Sequence, residues 1–148
     1  MPAEVPEYPF QAVGMDLFHA DDKDYLLTLD YYSKWVTVDE LEGTRTAQVV
    51  DKLKGVCCDF GLMETLKSDN GPQYTSVELR KFMMQHGIKH ETSSPRYARS
   101  NGLAERMVQI VKNLIRKYNL EQRSFYSGLR LERKIPLADG LPSPAQLL

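Results

Sequence analysis

Apolar and polar positions alternate in short blocks along the first forty residues and then stretch into longer, helically spaced runs. Residues 11 to 19 (Gln-Ala-Val-Gly-Met-Asp-Leu-Phe-His) and 24 to 31 (Asp-Tyr-Leu-Leu-Thr-Leu-Asp-Tyr) are apolar and flank a charged turn, Ala20 to Lys23, which predicts a β-hairpin. Trp35 to Leu41 alternates Trp35, Thr37 and Asp39 against Val36 and Val38, so it reads as a third antiparallel strand. Thr44 to Phe60 places Ala47, Val50, Leu53, Lys54 and Cys57 at helical spacing before Gly61 stops the helix. Leu62 to Lys67 reads as a buried strand that runs into a turn cluster, Ser68-Asp69-Asn70-Gly71-Pro72. A helix from Ser76 to His86 follows, with Ser76 as its cap, Val77, Leu79, Phe82 and Met83 inward and Gly87 as its stop. Ile88 to Glu91 is the candidate last strand, and Thr92 to Ser100 reads as an exposed loop. From Asn101 to Tyr118 a long amphipathic helix sets Leu103, Met107, Ile110, Leu114 and Tyr118 on one face, with Ala104, Val108, Val111 and Ile115 beside it.

Strands first and alternating elements later predict an α/β layered fold with a mixed sheet of five strands flanked by helices. The 148 residues suffice for one domain: an N-terminal extension at 1–10, a core at 11–119 and a tail at 120–148 in which Pro136, Pro142 and Pro144 interrupt any helix. No stretch approaches the roughly 20 apolar residues of a membrane span, and the first ten residues lack the basic-then-apolar order of a secretory signal. An intracellular protein with no membrane partner is therefore expected. Cys57 and Cys58, the only two cysteines, are adjacent, which suits neither a disulfide framework nor paired metal-ligand spacing and points to core packing.

The net charge of -1 argues against a strongly cationic surface, but the charge is unevenly spread. Residues 1–76 carry a balance of -8 and residues 77–148 one of +7, so any phosphate-binding surface belongs to the second half. Solvated helix faces account for such asymmetry equally well.

Three carboxylates stand in positions that a plain surface role explains less readily. Asp16 interrupts the apolar strand from Val13 to Phe18, where an unpaired charge costs several kcal/mol if buried. A bound cation would compensate it, and so would an outward-pointing position on a half-exposed strand. Asp69 ends a strand and opens a Gly-Pro turn, a place where α/β folds put functional groups and where Asp also caps turns through its own backbone. Glu105 lies in the first turns of the long helix, where the helix dipole favours a carboxylate in any case.

Taken together, the three lie in segments that resemble a known family. Val13-Gly14-Met15-Asp16-Leu17-Phe18, Ser68-Asp69-Asn70-Gly71-Pro72-Gln73-Tyr74 and Asn101-Gly102-Leu103-Ala104-Glu105-Arg106 look like the three signatures of the integrase catalytic core of gypsy-type retrotransposons and retroviruses. The 35 residues between Asp69 and Glu105 match the spacing of that family's acidic triad. The likeness runs from about Ala12 to Lys117, with a weaker echo in Leu137 to Leu148.

This resemblance implies an RNase H-like fold and DNA integration by 3′-end processing and strand transfer, a polynucleotidyl transfer with two Mg²⁺ or Mn²⁺ ions. Asp16, Asp69 and Glu105 would be the metal ligands and catalytic residues, and water or a DNA 3′-hydroxyl the nucleophile. Oxygen ligands suit such hard cations, and a pair of them can stabilise the attacking and the leaving oxygen together. Gln109, Lys112 and Arg116 follow Glu105 along one helical face opposite the apolar one. The resemblance implies that Gln109, Lys112 and the loop residue Asn101 contact DNA; Arg96 and Arg99 in the same loop are further phosphate-contact candidates. Element ends and target DNA would be the partners, the chain would form a homodimer or higher multimer, and it would act in the nucleus.

The chain departs from the family in the loop, where Pro95-Arg96-Tyr97-Ala98-Arg99-Ser100-Asn101-Gly102 replaces the frequent Pro-Tyr-His-Pro-Gln-Ser-Asn-Gly. Near the C terminus, Glu132-Arg133-Lys134-Ile135-Pro136 stands where Tyr-Arg-Asn-Thr-Pro is usual. These changes, and the lack of a recognisable zinc module or C-terminal barrel, suggest a fragment or truncated copy and keep open a domesticated, catalytically silent binding module. An RNase H-type nuclease is a third reading. Asp30 is expected at a strand end outside the metal site, and His19, His86 and His90 as surface or turn residues. Tyr31, Tyr32, Trp35, Phe60 and Phe82 are expected to serve the core or a dimer face.

Overall fold

The sheet begins at a two-residue turn. Asp21 and Asp22 both adopt left-handed backbone angles, φ 53° and 65°, as a type I′ turn requires, and the short polar Asp side chain tolerates this better than most. That turn joins β1 (Ala12–Ala20) to β2 (Lys23–Asp30), which pair antiparallel from Ala20 opposite Lys23 down to Val13 opposite Asp30. β3 (Val36–Leu41) returns along β2, completing the meander that alternation predicted. The computed structural model describes residues 5–42, 46–69, 74, 76–92 and 98–120. The tail beyond Leu120, the echo at Leu137 to Leu148 and Arg96 lie outside them.

Two crossovers complete the sheet. α1 (Thr46–Phe60) leads to β4 (Thr65–Ser68), which lies parallel to β1, and α2 (Val77–Gln85) leads to β5 (Lys89–Thr92), parallel to β4. The strand order is β3-β2-β1-β4-β5, a mixed five-stranded sheet as expected. Gly61 and Gly87 end α1 and α2 with positive φ of 93° and 66°, where glycine has no Cβ to strain. Ser76 caps α2 by accepting a hydrogen bond from the Leu79 N–H.

Period-two alternation decides which side of the sheet each helix covers. Val13 and Met15 of β1 and Leu26 of β2 face one way, into a core shared with Val49, Leu53 and Val56 of α1 and Leu79, Phe82 and Met83 of α2. Phe18 of β1, Leu27 and Leu29 of β2 and Val36 and Val38 of β3 face the other way, onto α3 (Ala98–Leu120). α3 buries Ala104, Met107, Val108, Val111, Ile115 and Tyr118 there. Met107, Val108, Val111 and Ile115 each contribute about 1.5–3 kcal/mol by leaving water, so packing rather than intrinsic propensity holds this helix.

Several expectations shift in phase. In α1 the buried stripe is Val49, Leu53 and Val56, whereas Ala47 and Lys54 are exposed and Val50 and Cys57 half-buried. Cys58 is exposed, so only Cys57 serves the core. Val77, expected inward, is the first residue of α2 and stands 62% exposed. β4 starts at Thr65, with Leu62 exposed ahead of it, and α3 starts at Ala98, inside the segment expected to be loop. Leu103, Ile110 and Leu114 flank the buried α3 stripe rather than forming its centre.

Candidate active site at the open end of the sheet

β1 and β4 are paired only through Ala12, Val13 and Gly14, opposite Thr65, Leu66 and Lys67. Beyond that point β1 continues alone for six residues on this edge, while β4 ends at Ser68. Carrying the register forward by two sets Asp16 level with Asp69, on the face that Gly14 and Lys67 share, which is the face α3 covers. Asp16 and Asp69 therefore sit where two parallel strands stop pairing, and α3 packs on β1.

Electrostatics report the same convergence. The Asp16 carboxyl is pushed up to about 6, first by burial, then by the negative charge of Asp69, and further by Glu105; the Leu17 N–H and the Lys112 ammonium act in the opposite sense. Thus the three predicted carboxylates share one field. Asp16 is half-buried, whereas Asp69 and Glu105 are exposed. Among the described residues no three Asp, Glu, His or Cys side chains stand close enough to enclose an ion. The arrangement is an open one, in which Glu105 acts on Asp16 more weakly than Asp69 does.

An open cleft of about 640 Å³ runs between β1 and α3, lined by Asp16 and His19 on the strand and by Glu105, Arg106, Gln109 and Lys112 on the helix. Glu105, Gln109 and Lys112 thus lie at the margin where α3 meets the sheet, and Lys112 is half-buried there. Arg116 continues the same helical row and is exposed. Arg99 and Asn101 belong to α3 by backbone, but their side chains lie outside the described residues.

Several residues around this site carry little signal in the sequence. Tyr31 packs over Gly14, where an added Cβ would come within 2.7 Å of the phenol oxygen, and the Lys67 ammonium lies 5.0 Å from the Tyr31 ring centroid. Burial, and then the charge of Asp16, push the Tyr31 phenol up to about 12. Ser68 places its hydroxyl 2.9 Å from the Asp69 carbonyl and 2.6 Å from His90 Nε2. For both bonds to form, His90 Nε2–H donates to the serine oxygen and the serine donates onward. Burial lowers the His90 pKa, in keeping with a neutral ring. His90 is therefore a half-buried strand residue linked through Ser68 to the Asp69 backbone, not the surface or turn histidine expected. His19, by contrast, is exposed and 2.9 Å from Asp24.

Asp30 lies at the end of β2, as expected. It is fully buried on the face opposite Asp16, where it accepts hydrogen bonds from the Phe10, Tyr32 and Ser33 N–H groups and from the Ser33 hydroxyl. Its role is to tie the N-terminal segment to the turn after β2.

Oxygen ligands with excess negative charge fit a hard divalent cation in kind. The net repulsion on Asp16 is the observation in favour of such an ion, since positive charge there would offset the cost of ionising it.

Comparison with known proteins gives this chain a family. The model of the integrase core domain matches residues 6–98. An uncharacterized protein of Caenorhabditis elegans is 36% identical over 117 residues, covering 78% of this chain and 9% of its own length. The Gag-Pro-Pol polyprotein of Human T-cell leukemia virus 3 is 34% identical over 110 residues, covering 72% of this chain and 8% of its own. The chain thus spans less than a tenth of the length of these curated relatives. Among solved structures, the simian T-cell lymphotropic virus intasome in complex with the PP2A regulatory subunit B56 gamma has a TM-score of 0.83 at 20% identity, covering 97% of this chain and 56% of that one. The integrase catalytic core domain of HTLV-2 in complex with magnesium, in its trimeric form, has a TM-score of 0.74 at 21% identity, covering 95% and 97%. The fold is therefore the RNase H-like fold of integrase catalytic cores, and this chain belongs to the integrase core domain family, whose work is DNA integration.

Proposed function

We propose that the chain acts as a metal-dependent polynucleotidyl transferase in 3′-end processing and DNA strand transfer, with Asp16, Asp69 and Glu105 as its catalytic and metal-binding residues. The observation that carries this reading is the convergence of the Asp69 and Glu105 charges on Asp16 at the open end of β1 and β4. Two bound Mg²⁺ or Mn²⁺ ions would supply charge to the attacking and leaving oxygens of an in-line displacement. Asp16 feels the charge of both other carboxylates and would be the shared ligand, with Asp69 and Glu105 each completing one side of the site. At neutral pH Asp16 is mostly ionised because its pKa of about 6 lies below 7, so it is ready to accept positive charge. Lys112 and Gln109 line the same cleft and would hold DNA phosphates beside the carboxylates; Arg116, Arg96, Arg99 and Asn101 are further DNA contacts in this reading.

Element ends and target DNA are the proposed substrates, and the nucleus the proposed place of action. The magnesium complex and the dimeric and trimeric forms named for HTLV-2 integrase cores support divalent metal and self-association here, a homodimer being the smallest such unit. The test is joining or cleavage of branched DNA with Mn²⁺ or Mg²⁺, which should fall by orders of magnitude in Asp16→Asn, Asp69→Asn and Glu105→Gln. Activity that persists in excess EDTA would rule the reading out.

A second reading, a domesticated module that binds nucleic acid or protein without chemistry, is favoured by the altered loop around Arg96 to Ser100 and by the unclosed arrangement of the three carboxylates. Metal-dependent turnover by the purified wild type would exclude it.

A further inference from the structure

Where β4 stops pairing with β1, a different group takes over its hydrogen-bonding role. The last β1–β4 pair is Gly14 with Lys67, so the Leu17 amide, three residues further on, has no β4 residue opposite it. Its N–H instead donates to the phenol oxygen of Tyr74 at 2.8 Å. Tyr74 is 1% exposed, with its ring in the core beneath α1 and α2. The phenol thus reaches the backbone at the residue that follows Asp16.

We propose that Tyr74 is a positioning residue for the paired aspartates: its hydroxyl ties the segment that leaves Asp69 to the backbone beside Asp16, and so fixes the separation of the two carboxylates. Tyr74 lies only five residues after Asp69, so one hydrogen bond closes a short bridge across the gap where the strands part. The same Leu17 N–H also interacts with the Asp16 carboxylate, which makes the amide a hub between the phenol and the acid. With the phenol oxygen removed, the amide would be left to the carboxylate alone and the strand would lose its lateral anchor. Losing one hydrogen bond of this kind costs about 0.5–1.5 kcal/mol, enough to let this stretch shift. Motion here changes the distance between two ligands of one site, to which divalent binding is sensitive because Mg²⁺ demands near-ideal geometry.

The inference rests on the metal-site reading proposed above, and the test separates the two. Tyr74→Phe keeps the ring in the core and removes only the oxygen. In metal-free protein, hydrogen exchange at the Leu17 amide should quicken roughly tenfold, the scale of one such bond, while the Leu26 and Leu27 amides of β2 stay unchanged. Calorimetric titration with Mn²⁺ should show wild type binding, Asp16→Asn not binding, and Tyr74→Phe binding severalfold more weakly. If wild type binds and Tyr74→Phe binds equally well, or Leu17 exchange is unaltered, the inference falls and the metal site stands. If wild type and Asp16→Asn are alike in binding nothing, the metal-site reading falls and the inference with it. In case Tyr74→Phe fails to fold, wild type alone decides: Leu17 must be a protected amide although no β4 residue pairs with it, and rapid exchange there overturns the proposal.

Discussion

β1 has two halves with opposite surroundings. Val13 and Gly14 are hydrogen-bonded between strands on both edges and buried, whereas from Asp16 to Ala20 the strand keeps β2 alone and opens onto a cleft. The closed half is held by apolar packing and by Asp30, which gathers three backbone amides and a hydroxyl at its end. At the open half, burial and two like charges raise the proton affinity of Asp16. Stability resides in one half and chemical tension in the other, within a single strand of nine residues. A parallel neighbour that stops short is thus a way to bring two acids level with each other without satisfying either through the sheet.

The comparison breaks most visibly if the open half is discharged. Asp16→Asn, Asp69→Asn or Glu105→Gln should each lower metal-dependent strand transfer on branched DNA by two to three orders of magnitude, the scale of removing one preorganised charge partner. In the closed half the expected loss is of fold rather than chemistry: Asp30→Ala leaves several buried donors unpaired and should cost about 3 kcal/mol or more in urea unfolding. Gly14→Ala tests the boundary between the halves. Its new methyl meets the Tyr31 ring and should cost about 1–3 kcal/mol, with displacement of Tyr31 visible in its ring resonances.

A smaller effect tests the tension itself. A carboxyl whose folded pKa exceeds its unfolded value binds more protons when folded. The Asp16 contribution to metal-free stability should therefore be greatest in acid, fall as pH rises from about 3.8 through about 6, and level off above. Asp16→Asn should remove that component and raise neutral-pH stability by about 1 kcal/mol, discounted for solvent screening of a half-exposed group, with no gain at pH 4. Thermal denaturation at the two pH values measures both; equal shifts would contradict the account. Smallest is the contribution of Lys112, whose replacement by Ala should reduce the salt dependence of DNA binding by about one phosphate contact, read as a slope in titrations at several ionic strengths.

Much of this was legible because strand and turn chemistry are local. The Asp21-Asp22 hairpin turn, the Gly61 and Gly87 stops and the Ser76 cap are each decided by a few neighbouring residues, and all four stand as the pattern predicts. Helix phase was harder. In α1, Val49 and Val50 are both apolar and so are Val56 and Cys57, so two stripes compete, and only the position of the sheet selects Val49, Leu53 and Val56. Asp16, Asp69 and Glu105 were readable through their segments, yet the supports around them were not. Tyr74 meets Leu17 across 57 positions, and His90 meets Ser68 across 22, with no local periodicity to announce either contact.

The most direct measurement is the anomalous scattering of Mn²⁺ in crystals of the protein at saturating metal. The account predicts a peak at the open end of β1 and β4, with carboxylate oxygens of Asp16 and Asp69 about 2.1–2.2 Å away, typical of a small hard cation, and Glu105 drawn towards it when DNA is bound. Peaks that avoid Asp16, or saturated crystals with no manganese between the two aspartates, would contradict it.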